Sequence, residues 1–517
     1  MLIFTPIALL IVALAVLGFL ARYRPDFRSF WLINLTGPLL AWLSLLFLWA
    51  ELPLQKSISY WSLSTGSTLE LLFLLDAISW PLLFGVASLL AAAYLSNVRK
   101  LSERNISSWL PGLAIGASSF IAVLAGNLLT LLLAWMLLDL LVLVYQLSTN
   151  QNRQSTSRSI NSFSASVLGV IVLLWAIAAN GGPSGLPIHQ LSPDTFPILI
   201  LAAGVRLAIL PLNLLALESE LPSQRFSAHI RLSQVASSLA VLARLDLPLS
   251  NFSLPLTLVV LLSTLYGSVK HLVAKDANTA LDFWIATLSG FVVVSAISGQ
   301  SAAALAWSLT LLMGGTYLVL SEAQPFSRWV TLIWGLTLLS VMPFISNFAG
   351  SAIFMFSENM ITYAFFFPAS LMIIAWVRRA QLPARESVIL ERWESILFRA
   401  GMSLLLLSQL SLGLGLAPSI KLSPTFRSAL PSLVLLGMAG ALWIPTGRRM
   451  QNAPAFVANL EKAFSLRWIY RWGAISLRQL AALLRSAGAL LEGRAGVLWA
   501  LLLVALLLSL ISQLSPS

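Results

Sequence analysis

Apolar runs dominate this chain from end to end, and short polar or basic stretches punctuate them. Runs long enough to cross about 30 Å of hydrocarbon fall near 2–21, 29–50, 70–96, 109–125, 127–147, 161–179, 196–217, 227–243, 253–272, 280–298, 302–321, 328–347, 353–377, 396–416, 429–446 and 495–513. The pattern predicts about sixteen membrane-spanning helices. Basic loops alternate with neutral ones. Arg22, Arg24 and Arg28 follow the first run, Arg99, Lys100 and Arg104 the third, and Arg153 and Arg158 the fifth. Lys270 and Lys275 follow the ninth, Arg378, Arg379 and Arg385 the thirteenth, and Arg448 and Arg449 the fifteenth. Loops between these, such as NGGPSGLPIHQLSPD at 180–194, are poor in Lys and Arg. The alternation puts the N-terminus outside. The first run lacks a basic leader and a small-residue cleavage site, so it is expected to be a retained span.

Composition sharpens this. Of 517 residues 58% are hydrophobic and 10% charged, with a mean hydropathy of +0.88. The fold class expected is an all-α polytopic membrane protein. The net charge of +12 reads as basic loops rather than as a nucleic-acid surface. With no cysteine, thiolate metal sites, iron–sulfur clusters and disulfides are excluded. The three histidines, His189, His229 and His271, are too scattered for a metal cluster.

Two stretches depart from plain spans. Residues 450–494 form a basic amphipathic helix in which Arg467, Arg471, Arg478 and Arg485 share one face, as in helices that lie along a membrane surface. About 30 helical residues would reach on the order of 45 Å, enough to cross a neighbouring subunit. The second is Ile198–Arg244, an apolar helix with Arg206 inside it, Pro211 five residues on, a polar patch from Glu218 to Arg225, and a further helix carrying His229 and Arg231. A proline frees backbone groups that only a buried or hydrated site satisfies. A charge beside such a break builds ion sites in many transporters. The alternative is a proline kink in which Arg206 pairs with a carboxylate and only holds the bundle.

Five stretches carry a resemblance. LLDAISWPLLFGVASLLAAAYLS (74–96), LAGNLLTLLLAWMLLDLLVLV (124–144), GVRLAILPLN (204–213), KDANTALDFWIATLSG (275–290) and MPFISNFAGS (342–351) resemble, in order, motifs of the antiporter-like, proton-translocating subunits of respiratory complex I. Mrp-type cation/proton antiporters and membrane-bound hydrogenases share these motifs. The resemblance implies two inverted five-helix repeats with broken helices at Pro211 and Pro343, a lateral helix at 450–494 and a final anchor span at 495–517. The division it suggests is 1–107 for the N-terminal spans, 108–246 for the first repeat, 247–380 for a second, degenerate repeat and 381–449 for the C-terminal spans.

The titratable row of the family is mostly absent. Its glutamate in the fifth span falls on Met136, with Asp139 one turn further along the same face. The lysine and histidine of the first broken helix fall on Arg206 and Asn213. Later lysines fall on Asn278, on Gly314 or Gly315, and on Ser351. Family relays use buried lysines whose pKa is movable. Guanidinium keeps its proton inside proteins, so Arg206 anchors Asp139 or biases a water without being a stop on a proton wire. Asp139, Arg206, Glu218, Glu220, His229 and Arg231 are the residues hydrated cavities would connect: one surviving half-site beside an erased one. Asp76 is expected to cap a helix. Asp282, Glu322 and Glu358 are expected at solvated span ends.

Resemblance thus implies a membrane subunit of a larger complex in an energy-coupling membrane, taking part in proton translocation driven by a partner's NADH–quinone electron transfer. A non-pumping scaffold, a cation/proton antiporter subunit and an inorganic-carbon uptake subunit stand as alternatives. No motif for NADH, flavin, iron–sulfur or quinone is found, so no cofactor is expected here. The partners expected are other membrane subunits, the lipid bilayer, and protons or cations.

Overall fold

The computed structural model describes residues 2–24, 29–62, 68–97, 109–149, 153–180, 186–207, 209, 227–246, 253–274, 276–322, 328–342, 363–381, 391–416 and 426–452, with isolated positions beyond. Residues Met1–Val457 form one compact unit and Ala458–Ser517 a second. The lateral helix and the final anchor span expected in the second unit lie outside the described residues.

Fifteen helices run through the described part of the first unit: α1 Thr5–Tyr23, α2 Phe30–Leu48, α3 Ser79–Ser96, α4 Leu110–Val123, α5 Leu128–Thr149, α6 Arg153–Ala179, α7 Phe196–Arg206, α8 Ser227–Ala243, α9 Ser253–Val273, α10 Ala277–Ile297, α11 Ser301–Ser321, α12 Arg328–Leu338, α13 Phe366–Gln381, α14 Arg392–Ser411 and α15 Phe426–Asn452. Among the described residues nine helical segments are long and apolar enough to cross a membrane. Prolines open α1, α4 and α7 in their first turns, where the missing N–H costs nothing. The α10 and α11 windows are buried along their whole length, as helices apolar all round must be. At the centre α8 packs on α3, α4, α7, α10 and α11.

Close approach in this core depends on small residues. A methyl group added to Gly267 on α9 would stand 2.6 Å from Thr287 Oγ1 on α10. In return, one added to Gly290 on α10 would strike Thr264 on α9. Each helix therefore sets a threonine into the other's glycine. Both hydroxyls donate back along their own helices, Thr264 to Val260 O at 2.6 Å and Thr287 to Phe283 O at 2.7 Å. No water is needed to satisfy them.

Two features differ from the sequence pattern. Residues 70–75, expected to begin the third span, belong instead to a β-hairpin, β1 Leu54–Ser62 with β2 Thr68–Leu75, paired antiparallel from Leu54↔Leu75 to Ser62↔Thr68. LELLFLL is too short an apolar run to choose between strand and helix by period; the polar STGS at 64–67 before it is the turn signal. The β2 backbone continues its pairing onto the α4–α5 turn, through Leu74 N–H to Leu124 O and Gly126 N–H to Leu72 O, both 2.8 Å. The third helix begins only at Ser79, where Asp76 accepts the Ser79 and Ile78 N–H groups at 2.7 and 3.1 Å. This is the cap that was expected.

The two interrupted spans end early and in the same way. Both α7 and α12 have 11 residues, and each stops five short of its proline, at Arg206 and at Leu338. Each end is closed by a bond from five residues on, Ile209 N–H to Gly204 O at 3.1 Å and Val341 N–H to Leu336 O at 3.2 Å. At α12, Ser340 adopts the left-handed conformation, φ 58, and completes the closure with its N–H on Thr337 O at 2.9 Å. Pro211 and Pro343 themselves lie outside the described residues.

Gly290→Ala should lower stability by about 1–3 kcal/mol, because Thr264 has nowhere to retreat. Gly437→Ala, with open space around it, should be near neutral. Thermal unfolding of the two detergent-solubilised variants checks the contrast.

Candidate functional site

The inward face of α5 carries Trp135, Leu138, Asp139 and Val142, all buried, while Leu133, Met136, Leu137, Leu140 and Val144 face outward. Asp139 and Met136 therefore do not share a face, contrary to expectation; the residue standing for the family's glutamate is 52% exposed on the outer side of the helix. Asp139 faces the broken end of α7. There Arg206 Nη1 and Nη2 donate to Asp139 Oδ2 and Oδ1 at 2.5 and 2.8 Å, with both side chains 2% exposed. The pair is bidentate, the strongest form such a contact takes.

Four helices hold it. Gln234 on α8 donates to Asp139 Oδ1 at 3.2 Å and to Ser166 Oγ on α6 at 3.3 Å. The guanidinium lies over the Trp135 ring at 4.4 Å, and the indole N–H of Trp135 is fixed by Ser237 Oγ at 2.9 Å. Gly169 on α6 leaves room for the arginine stem, since a Cβ there would meet Arg206 Cγ at 2.5 Å. Arg206 also occupies the last turn of α7, where a cation offsets the helix dipole.

One turn along α8 from Gln234, Arg231 Nη1 donates to Asp282 Oδ1 on α10. Asp282 was expected at a solvated span end; it is 8% exposed and paired, because α10 is enclosed by neighbours down to its first turns. Glu322 also differs: its Oε2 accepts the Ala277 N–H that opens α10, at 2.8 Å. His229 is buried and sets its ring 6.0 Å from that of Tyr94; two residues from Arg231, it cannot share that residue's face. The structure thus gathers Asp139 with Arg206, keeps Arg231 on a separate carboxylate, and sets His229 elsewhere. Glu218, Glu220, Asn213, Ser351, Glu358, Arg467, Arg471, Arg478 and Arg485 lie outside the described residues.

In the second half indole rings take the space. Gly314 and Gly315 sit within buried α11, and Cβ atoms there would meet Trp284 Cζ2 at 2.6 Å and Trp284 Nε1 at 3.1 Å. Trp284 is locked by its N–H on Leu311 O at 3.0 Å and packs on His271 and Trp376, with ring centroids 5.6 and 6.1 Å apart. At the α12 break the neutral amide of Gln409 on α14 donates to Leu338 O at 3.0 Å and Ser340 Oγ at 2.7 Å. Asn278, at the start of α10, is half-buried. Among the described residues no three His, Asp or Glu side chains converge as metal ligands.

At the end opposite the basic loops Arg244, just past α8, donates to the carbonyl of Ala125 and lies 4.0 Å from Asp76 Oδ2. Burial pushes the Asp76 carboxyl up, but Arg244 and the bonds from Ser79 and Ile78 together hold it below its ordinary value. Sequence reasoning passed over Gln234, although it follows Arg231 by three residues on one helix face. It also passed over Trp284, which carries no signal beyond its size.

No family model matches the sequence, and no curated protein matches it. Solved structures do match in fold. A chain of the Mrp complex from Dietzia sp. DQ12-45-1b superposes with a TM-score of 0.70 at 16% identity, covering 98% of this chain and 63% of that one. A chain of the membrane-bound sulfane sulfur reductase, an archaeal respiratory membrane complex, gives 0.70 at 14% identity, covering 98% of this chain and 100% of that one. A chain of respiratory complex I from Thermus thermophilus with bound aureothin gives 0.61 at 18% identity, covering 80% and 98%. This chain is thus a helical, integral membrane protein with the antiporter-like fold. The chains it resembles are parts of multi-subunit membrane complexes, and it spans 63% of the length of the Mrp chain.

Arg206→Ala should strand Asp139 and destabilise the protein by about 3–5 kcal/mol; pairing it with Asp139→Leu should recover much of that loss in the same unfolding assay. Because the folded pKa of Asp76 is depressed, its stabilisation is complete above the ordinary carboxylate range and is lost as the pH falls through the lowered value. Asp76→Asn should remove that acid limb from a plot of melting temperature against pH.

Proposed function

We propose that this chain is an antiporter-like membrane subunit of a redox-driven complex of the complex I type, and that its own transmembrane proton path is interrupted. The observation that carries the reading is Trp284, standing against Gly314 and Gly315, where the resemblance puts a central lysine. A proton wire needs water or titratable groups throughout, and locked indole packing supplies neither. The first half keeps fixed charges, but arginine releases no proton. The similar ends of α7 and α12 support two inverted repeats. In this reading α7 and α12 are the halves of broken helices, one neutralised by Asp139–Arg206 and the other by the amide of Gln409. The chain then holds neighbouring subunits in register while they move the ions.

Proton uptake into vesicles bearing the assembled complex tests this. Asp139→Asn should lower assembly and proton uptake together. Arg206→Lys, which keeps a cation at the end of α7 but one that can titrate, should leave both assembly and uptake intact, because Trp284 still closes the path. If Asp139→Asn removes a share of the uptake while assembly is complete, the path is not interrupted and the reading fails.

A further inference from the structure

The two buried ion pairs that α8 touches, Asp139–Arg206 through Gln234 and Arg231–Asp282 directly, are not equivalent. Asp139 uses both oxygens on Arg206 and takes a third bond from Gln234. Asp282 receives only Arg231 Nη1, on Oδ1; among the described residues its Oδ2 accepts nothing. Two more polar atoms at this spot are unused: Arg231 Nε, and Oδ1 of Asn278, one turn earlier on α10. The side chains of Arg231 and Asp282 are 13% and 11% exposed, against 2% for each member of the first pair. More accessible surface therefore remains at the second pair than at the first. The pair lies near the start of α10, and the end of α9 that precedes it carries Lys270 and His271 in its last turn.

The groups around Asp282 are otherwise committed. On α9, His271 turns Nδ1 to Ala280 O at 2.8 Å, and Lys270 lies over the Tyr266 ring at 5.8 Å. Glu322, at the end of α11, holds the Ala277 N–H. Asp276 precedes α10, and Arg379 of α13 donates to its carbonyl at 3.4 Å. Arg206, on α7, is held by Asp139. In the Arg231–Asp282 pair only the carboxylate can titrate. A proton on Asp139 would break a bidentate contact in a dry site. A proton on Asp282 Oδ2 breaks no bond described here and comes from adjoining water.

We propose that Asp282 is an exchangeable carboxylate, taking a proton onto Oδ2 from water that enters at the start of α10 and returning it there, with Arg231 as fixed counter-charge. The step is simple protonation of a carboxylate to a carboxylic acid. It deepens the reading of an interrupted path, on which it rests, by naming where a proton binds and stops.

Dicyclohexylcarbodiimide, which adds to a protonated carboxyl to leave a stable acylurea, tests this on the assembled complex in native membranes, with peptide mass spectrometry as readout. Label is expected on Asp282, falling as the pH rises, lost in Asp282→Asn, and absent from Asp139. Arg231→Gln removes the counter-charge, so its label should persist to higher pH. Infrared difference spectra between acid and alkaline pH provide a measurement independent of reagent access: wild type should show a protonated-carboxyl band that Asp282→Asn lacks. Label on Asp139 in place of Asp282, or neither label nor that band, overturns the proposal. Neither readout needs turnover, so a failure in the vesicle assay and a failure here are distinguishable.

Discussion

A helix that stops inside a membrane leaves carbonyls with neither partner nor water, and everything around α7 and α12 answers that constraint. At α7 the answer is a cation: Arg206 sits in the final turn, and Asp139, Gln234 and Trp135 exist in their arrangement to hold it. At α12 the answer is neutral, a left-handed serine and an amide borrowed from α14. One end thus needs a counter-charge and organises four helices to supply it. The other is closed by neutral groups alone, Ser340, Thr310 and Gln409.

That difference propagates. Beside the charged end lie serines, a glutamine and a second ion pair on the same central helix. Beside the neutral end, rings close in, and Trp284 packs on Gly314 and Gly315 of α11 while its N–H bonds Leu311 O. The guanidinium at the end of α7 is a fixed charge, since it does not release its proton inside proteins.

Much of this was legible in the residues. Apolar run length placed α4, α5, α8 and α11 to within a few positions, and the cation inside an apolar run marked Arg206, where α7 ends. Asp139 was readable as its partner, being a carboxylate inside an apolar helix. What failed did so for physical reasons. Met136 was placed by its neighbour in a motif, but helical phase carries it to the exposed side of α5. Asp282 lies near the end of an apolar run, which reads as interface when the chain is considered one helix at a time; only the burial of α10 by its neighbours makes it internal. The hairpin at 54–75 was absorbed into a span because a short apolar strand and the start of a helix look alike without partners.

The reciprocal seating of Thr264 and Thr287 in Gly290 and Gly267 has a mechanical side. Sliding α9 along α10 would lift both threonines from their sockets at once and drive them into backbone, so the interface has no soft shear direction. The two helices work as a single beam. Relative movement among the packed helices is therefore expected between other pairs, whose contacts can be exchanged singly.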